Sequence, residues 1–342
     1  MSARRGILLV FILLFVAISV SVGAMLLFAM AGNAPTPVPS NAALYLRLDA
    51  PFREIERSDL FTQFLRPPPT LRAIVDAIRK ASLDSRVKTL VVMPQAAGAM
   101  WGQLQEIRGA LDAFRATGKS ITAYLEYGGA EEYYLASAAD RVVMMPGGTL
   151  DLTGVATYEL FFRGTLDKIG AVPDLLHIGE YKTASNTFTE KGFTPAHREM
   201  SQSLNRDWYD ELVRAIAAGR KRTEPEIRKA IDAGPFLAEA ARRAGLVDEL
   251  GYEDQLDDRE PIRGTRRLEA EQYESASVRT GGSAPAVRMA LLYAVGAIAS
   301  GKSAFDTPGG SIVGSETFIQ WVRKVRVDPG ITAIIVRIDS PG

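Results

Sequence analysis

The 342-residue sequence contains no cysteine and only two histidines, His177 and His197. The lack of cysteine excludes disulfides, thiolate catalysis and cysteine-based metal sites within these residues. A histidine-rich zinc site or a Ser-His-Asp triad would have to use one of the two histidines. Neither has a neighbour that suggests such a role, so we interpret both as ordinary loop or helix residues.

An excess of charge is also absent, because Lys plus Arg and Asp plus Glu number 40 each. The chain therefore has no overall field that would attract nucleic acid, and we expect no nucleic-acid partner. The hydrophobic fraction of 47% and charged fraction of 23% are typical of a globular protein with a sizeable core. The length accommodates one large or two ordinary domains.

Residues 6–31 contain no charged side chain. About 20 apolar residues span a bilayer, whereas the apolar region of a cleavable signal peptide has about 7 to 15. We therefore predict a transmembrane anchor at 6–31; cleavage at the A-x-A-like sequence 29–31 is the alternative. Arg4 and Arg5 keep residues 1–5 in the cytoplasm. The prediction is a single-pass protein of the inner (cell) membrane with a periplasmic main domain.

The folded part follows a Pro-rich linker at 32–43 and alternates short apolar runs with helical patterns. This βαβα order predicts an α/β fold with a mostly parallel sheet covered by helices over 44–257. From Pro195 the pattern is helical, and Thr223 with Glu226 fits a capping box. One face of the first of these helices carries an apolar series, which predicts packing against the core: Met200, Leu204, Trp208, Leu212 and Ile216.

The end of the chain repeats its beginning. Residues 74–98 align without a gap on residues 318–342, at an offset of 244, and both stretches have a helix, turn and strand pattern. The polar segment 258–285 is then a connection, and 286–342 is the start of a second copy. We interpret this pattern as a tandem duplication.

Three motifs resemble a known family: "EEYYLASAADRVVMMPGGTLDLTGV", "GEYKTA" and the terminal "IVRIDSPG". Together with the anchor and the repeat, they are similar to the long form of signal peptide peptidase A, a membrane-bound Ser-Lys protease family. The resemblance implies repeated ββα units of the Clp-protease/crotonase-like fold, no cofactor and no metal. It also implies a serine endopeptidase that degrades cleaved signal peptides and assembles as a tetramer.

Within this resemblance, Lys182 of "GEYKTA" takes the place of the general base. A lysine can remove a proton from a serine only when its amine is neutral, which requires removal from solvent. The apolar residues before Lys182 favour a buried stem, and Thr183 and Ser185 are candidates to hold the amine by hydrogen bonds. From these residues alone, a solvated loop lysine remains the alternative.

The family's nucleophile has no counterpart in this sequence. Its place in the first copy is occupied by Ala130, followed by Glu131 and Glu132, and alanine has no hydroxyl. The resemblance therefore implies that the serine lies beyond Gly342, and that Gly342 donates to, or adjoins a donor to, the oxyanion. Ser340 is interpreted as part of a turn with Pro341.

Two other functions are compatible with the residues. A non-catalytic, membrane-tethered scaffold or binding protein is favoured by Ala130. An acyl-CoA enzyme of the crotonase type would use the same fold with a thioester substrate. Lys182 and the predicted anchor argue against the acyl-CoA enzyme.

Overall fold

The computed structural model describes residues 11–21, 23, 37–55, 69–274, 276–278, 287–307 and 310–341. Residues 11–21 and 23 of the predicted anchor are helical, and its other positions lie outside the described residues. No helix among the described residues is both long and apolar enough to cross a membrane.

A six-stranded sheet, whose pairings are all parallel, forms the centre of the part of the chain from Ala42 to Tyr273, which we call the first unit. The expectation of a mixed α/β fold with a parallel sheet is confirmed. The strand order is β7-β4-β3-β2-β1-β8. Its strands are β1 (Ala42–Asp49), β2 (Val87–Gln95), β3 (Ser120–Leu125), β4 (Arg141–Met144), β7 (Glu249–Leu250) and β8 (Arg266–Glu269).

Successive residues of the central strands point to opposite faces, and both faces are buried. Leu44, Leu46 and Leu90 belong to the larger apolar cluster with the helices. Tyr45 and Val91 belong to a smaller cluster with residues of a 3-10 turn (Glu253–Asp258) and the segment that follows it. The helical layer therefore covers one face, and irregular chain covers the other.

Three helices supply most of the crossovers: α1 (Leu71–Leu83), α2 (Trp101–Arg115) and α3 (Ala130–Ala136). Thr70 caps α1 through its side chain, which accepts a hydrogen bond from the Ala73 amide at 3.2 Å. A two-stranded antiparallel pair, β5 (Thr149–Leu150) with β6 (Phe236–Leu237), lies beside this layer. The remaining helices of the first unit are α4 (Arg163–Lys168), α5 (Asn186–Thr189), α6 (Pro195–Arg220), α7 (Glu224–Asp232), α8 (Ala238–Arg243) and α9 (Ala270–Tyr273).

Helix α6 only partly follows the packing predicted for it. Leu212 and Ile216 are buried, whereas Leu204 is 45% exposed. The first half of α6 is covered only in part, because Trp208 stacks on Trp101 at 6.4 Å between centroids and Met200 contacts Thr183, while Leu204 stays exposed. The capping box predicted for α7 is confirmed, because Glu226 Oε2 accepts a hydrogen bond from the Thr223 amide at 2.8 Å.

The segment predicted as a connection, 258–285, contains β8 and α9. β8 pairs with β1, from Ala42 opposite Arg266 to Tyr45 opposite Glu269. This pairing brings the segment into the first sheet. A hydrophobic-pattern reading misses β8 because two of its four residues are exposed arginines.

The second unit contains β9 (Met289–Val295), β10 (Ala297–Ala299), β11 (Ala304–Thr307), β12 (Gly310–Gly314), α10 (Ser315–Arg326) and β13 (Ala333–Asp339). β9 and β13 pair in parallel, with α10 between them in sequence, as β1 and β2 pair around α1. Ser315, the first residue of α10, lies 244 positions after Leu71, the first residue of α1. This offset equals that of the sequence alignment.

Candidate active site

The turn before α3 is the place that the sequence analysis predicts for the family's nucleophile in the first copy. Ala130 is the first residue of α3 and is 9% exposed. The Gly129 amide donates to Glu132 Oε2 at 2.7 Å, and Glu132 itself is buried. A carboxylate that satisfies a free amide of the first turn stabilises the helix, so Glu132 acts here as a cap. The turn holds no group that can attack a carbonyl.

Lys182 lies on a turn between α4 and α5, and its side chain is exposed. Its amide donates to the Gly179 carbonyl at 3.4 Å, while Nζ has no hydrogen-bond partner among the described residues. The expectation that its stem is buried is therefore wrong for this part of the chain. The physical reason is that residues 153–193, which we call the Lys182 arm, bury almost none of their side chains, and Asn186 is the one buried residue among them.

The two neighbours expected to hold the amine have other partners. Thr183 Oγ1 contacts Met200 Sδ at 3.9 Å. Ser185 Oγ lies 3.4 Å from His177 Nδ1, on the exposed side of the arm. Within the described residues, neither hydroxyl restrains Lys182 Nζ.

The Lys182 arm exposes many large apolar side chains. Leu176 and Ile178, on the same stretch as Lys182, are 98% and 94% exposed. A group of exposed apolar side chains indicates a surface that binds another protein segment, subunit or ligand. The other exposed apolar residues of the arm are Tyr158, Leu160, Phe162, Ile169, Val172, Leu175, Tyr181 and Phe188.

The terminal motif lies at the end of β13. Gly342, the candidate oxyanion donor, lies outside the described residues. The Gly296 amide donates to the Asp339 carbonyl at 2.9 Å and so fixes the end of the strand. Burial and the nearby Glu54 carboxylate raise the pKa of Asp339, and Arg337 opposes this shift.

Arg337 joins the second unit to the first, a contact that the sequence analysis missed. Its Nη2 donates to Glu54 Oε1 at 3.0 Å and its Nη1 donates to Glu106 Oε2 at 2.8 Å. Gln103 Nε2 donates to the same Glu54 oxygen at 3.0 Å, and the Glu54 side chain is 4% exposed. The sequence contains one indication of this contact, because a lone arginine inside the apolar run "AIIVRI" is unusual in a buried strand.

No cluster of three or more acidic or histidine side chains that could hold a metal ion occurs among the described residues. The two histidines lie in the same part of the chain, but His177 is exposed and His197 is buried beside Glu159 and Asn186.

Residues 113–260 match the sequence model of peptidase family S49. The chain carries a peptidase family S49 domain. The matched region includes both Lys182, the predicted base, and Ala130, the position predicted for the nucleophile in the first copy.

Alignments with similar proteins cover most of this chain. The "Serine protease SPPA, chloroplastic" of Arabidopsis thaliana is 28% identical over 274 residues, which cover 77% of this chain and 40% of that protein. "Protease 4" of Salmonella typhi is 30% identical over 283 residues, which cover 79% and 45%. The chain therefore spans about half the length of the curated relatives it matches. A solved "1510-N membrane-bound stomatin-specific protease" aligns at a TM-score of 0.41 and 9% identity, covering 67% of this chain and 97% of that one.

Proposed function

We propose that this chain belongs to a membrane-anchored serine endopeptidase that degrades cleaved signal peptides, with Lys182 as the general base. The observation that carries the proposal is the S49 match over residues 113–260, which includes Lys182. The protease names of relatives at 28% and 30% identity support the same activity. The anchor at 6–31 and the Clp-protease/crotonase-like fold are parts of the proposal.

The nucleophilic serine comes from beyond Gly342, in the second copy of a tandem duplication. The parallel pairs β1-β2 and β9-β13, each with a helix directly before its second strand, support the duplication. Lys182 Nζ takes the proton of the serine hydroxyl as its oxygen attacks the peptide carbonyl, and the proton then passes to the leaving amine. Water hydrolyses the acyl-enzyme in the second half of the cycle. Backbone amides near Gly342 stabilise the oxyanion.

The base works only in the assembled protein. Lys182 is exposed within the described residues, whereas a lysine that acts as a general base must be removed from solvent. Covering the apolar arm by the second copy or by a neighbouring subunit would remove the amine from water and favour its neutral form. The tetramer implied by the resemblance provides such neighbours.

The proposal is tested by Lys182→Ala in the complete protein, assayed on a fluorogenic peptide with an apolar signal-peptide-like sequence. We expect the loss of a general base to lower kcat by a factor on the order of 10² to 10⁴. Lys168→Ala is the matched control, because Lys168 is an exposed lysine of the same arm and should leave the rate unchanged. Full activity of Lys182→Ala would remove Lys182 from the mechanism.

A second experiment separates the protease from the tethered scaffold that Ala130 favours. In the family that this chain resembles, the nucleophilic serine begins a Ser-Gly-Gly-Tyr-like turn. The coding sequence is read beyond codon 342, and a serine found in such a turn is changed to alanine. We expect this variant to fold and to lose peptide hydrolysis. The absence of any such serine turn would favour the scaffold.

A further inference from the structure

The Lys182 arm and the first half of α6 have almost no interior of their own. Between the buried residues Leu152 and Leu212, only two side chains are buried, Asn186 and His197. Both are polar, and Asn186 Nδ2 lies 3.4 Å from His197 Nδ1. A segment of this length is normally held by buried apolar side chains, so here the polar pair takes their place.

His197 contacts three separate stretches of chain. It lies in the first turn of α6, where its amide donates to Thr194 Oγ1 at 3.2 Å. Its Nε2 is paired with the Glu159 carboxylate at the beginning of the arm, and its Nδ1 faces Asn186 near the end of the arm. The rings of Phe161 and Phe193 pack edge-on against the imidazole at 5.8 and 5.0 Å between centroids.

The hydrogen bonds assign a role to each ring nitrogen. Glu159 accepts, so Nε2 carries the proton and donates to it, and the other Glu159 oxygen accepts from Ser201. Nδ1 is then free to accept a hydrogen from the Asn186 amide, an orientation assigned from the network. A neutral imidazole therefore satisfies both neighbours at once. A phenyl ring of similar size would satisfy neither.

Asn186 connects this network to the turn that carries Lys182. The Asn186 amide donates to the Thr183 carbonyl at 2.9 Å, and its carbonyl accepts from the Glu190 amide at 3.0 Å. Asn186 is thus fixed at the start of α5, four positions after Lys182. The turn closed by the Asn186–Thr183 hydrogen bond begins at the residue directly after Lys182, so restraining the Asn186 side chain restrains the backbone beside Lys182.

We propose that His197 is a positioning residue that fixes Lys182 through Asn186, with Glu159 setting the orientation of the ring. This inference rests on the proposed function, since it assigns a purpose to the fixed position of the base. It does not place His197 in contact with substrate. A displacement of about 1 Å at a catalytic group costs on the order of 10²-fold in rate, so a support of this kind is measurable in kcat.

The test compares His197→Phe and His197→Gln in the complete protein with His177→Phe as the control. His177 is the other histidine of the sequence and lies exposed on the same arm. We expect His197→Phe to lower kcat by about 10- to 100-fold with KM nearly unchanged. The amide nitrogen of His197→Gln can still donate to Glu159, so this variant should recover part of the rate. His177→Phe should behave as the parent.

Amide hydrogen exchange supplies a readout that does not depend on activity. We expect His197→Phe to accelerate exchange about tenfold or more in residues 175–190, while the strands β1 to β4 keep their protection. Asn186→Leu removes the same contact from the other side and should reproduce the result, which also covers the case in which His197→Phe does not fold.

Three results would overturn the inference: an unchanged kcat in both His197→Phe and Asn186→Leu, equally fast exchange in arm and core, or no recovery in His197→Gln. An active Lys182→Ala variant would instead contradict the proposed function. In that case the exchange data would still decide whether His197 holds the arm.

Discussion

At the residue scale, Asp84 shows how one carboxylate at a helix end joins distant parts of the chain. It follows α1, and its side chain is 4% exposed. Its oxygens accept from the Arg86 amide at 3.0 Å, from the Arg86 guanidinium at 2.8 to 3.2 Å and from the Tyr273 hydroxyl at 3.1 Å. Burial by itself would raise the pKa of Asp84, but the hydrogen bonds from Arg86 and Tyr273 outweigh burial and lower the pKa.

Asp84→Asn tests this balance by pH. Because the folded-state pKa is lowered, the stabilisation is fully present above the unfolded value of about 3.9 and is lost as the pH falls through the folded value. We expect Asp84→Asn to cost about 2 kcal/mol at pH 7, and the difference from the parent to shrink below about pH 4. Urea unfolding at pH 7, 5 and 3 measures it.

Asp76→Asn is the control for this measurement, because Asp76 forms an exposed ion pair with Arg72 on the same helix. Such pairs contribute little, so its effect should be small at every pH. A difference between Asp84→Asn and the parent that stays constant with pH would show that the charge of Asp84 is not the cause.

At the scale of elements, α2, α3 and α6 meet at a buried arginine. Arg108 on α2 donates to the carbonyl of Tyr134 and to Ser137 Oγ at 2.9 Å, both at the C-terminal end of α3. Its Nη2 donates to the Ala215 carbonyl of α6 at 2.7 Å. Burial lowers the pKa of Arg108, with Asp112 opposing the shift. The guanidinium thus donates to backbone carbonyls of two helices and to a hydroxyl at the place where the three helices meet.

Arg108→Met keeps most of the volume of the side chain and removes the donors. Tyr134, Ser137 and Ala215 each lose a buried charged donor, although the Ser137 hydroxyl still donates to the Tyr134 carbonyl at 3.1 Å, so we expect a loss of about 3 kcal/mol in the free energy of unfolding. Arg214→Met on the exposed side of α6 is the matched control and should change stability by less than about 0.5 kcal/mol. Equal stability of the two variants in urea would contradict this account.

At the scale of the whole molecule, ion pairs between an arginine and two glutamates join the two units. Arg337 on β13 binds Glu54 and Glu106 of the first unit, and these bonds raise its pKa. Glu54 is buried and has Gln103 as its other partner. Arg337 lies three positions before Ser340, so this contact fixes the strand that leads into the terminal turn.

Arg337→Gln leaves the buried Glu54 carboxylate without its counter-charge, and we expect a cost of about 3 to 5 kcal/mol. Adding Glu54→Gln removes the unpaired charge, so the double variant should be more stable than Arg337→Gln alone. Arg323→Gln, an exposed arginine of α10, is the control. Additive losses in the double-mutant cycle would mean that the two side chains are not coupled.

The sequence predicts the elements better than it predicts the site. The alternation of patterns predicts the strands from β1 to β4 with the helices between them, because those strands are buried on both faces and their signal is local. The capping box of α7 was predicted because it too depends only on residues close together in the sequence. β8 was missed because its assignment depends on a partner strand more than 200 residues away.

The candidate site depends on motifs that can be read in the sequence and on the surroundings of those motifs, which the sequence does not show directly. Residue types alone exclude cysteine chemistry within these residues and supply the motif around Lys182 and the alanine at position 130. The folded arrangement was needed to show that Lys182 is exposed on an arm, that His197 is buried against Asn186 and Glu159, and that Arg337 binds Glu54. Residue types are local information, whereas burial and partners depend on how distant segments pack.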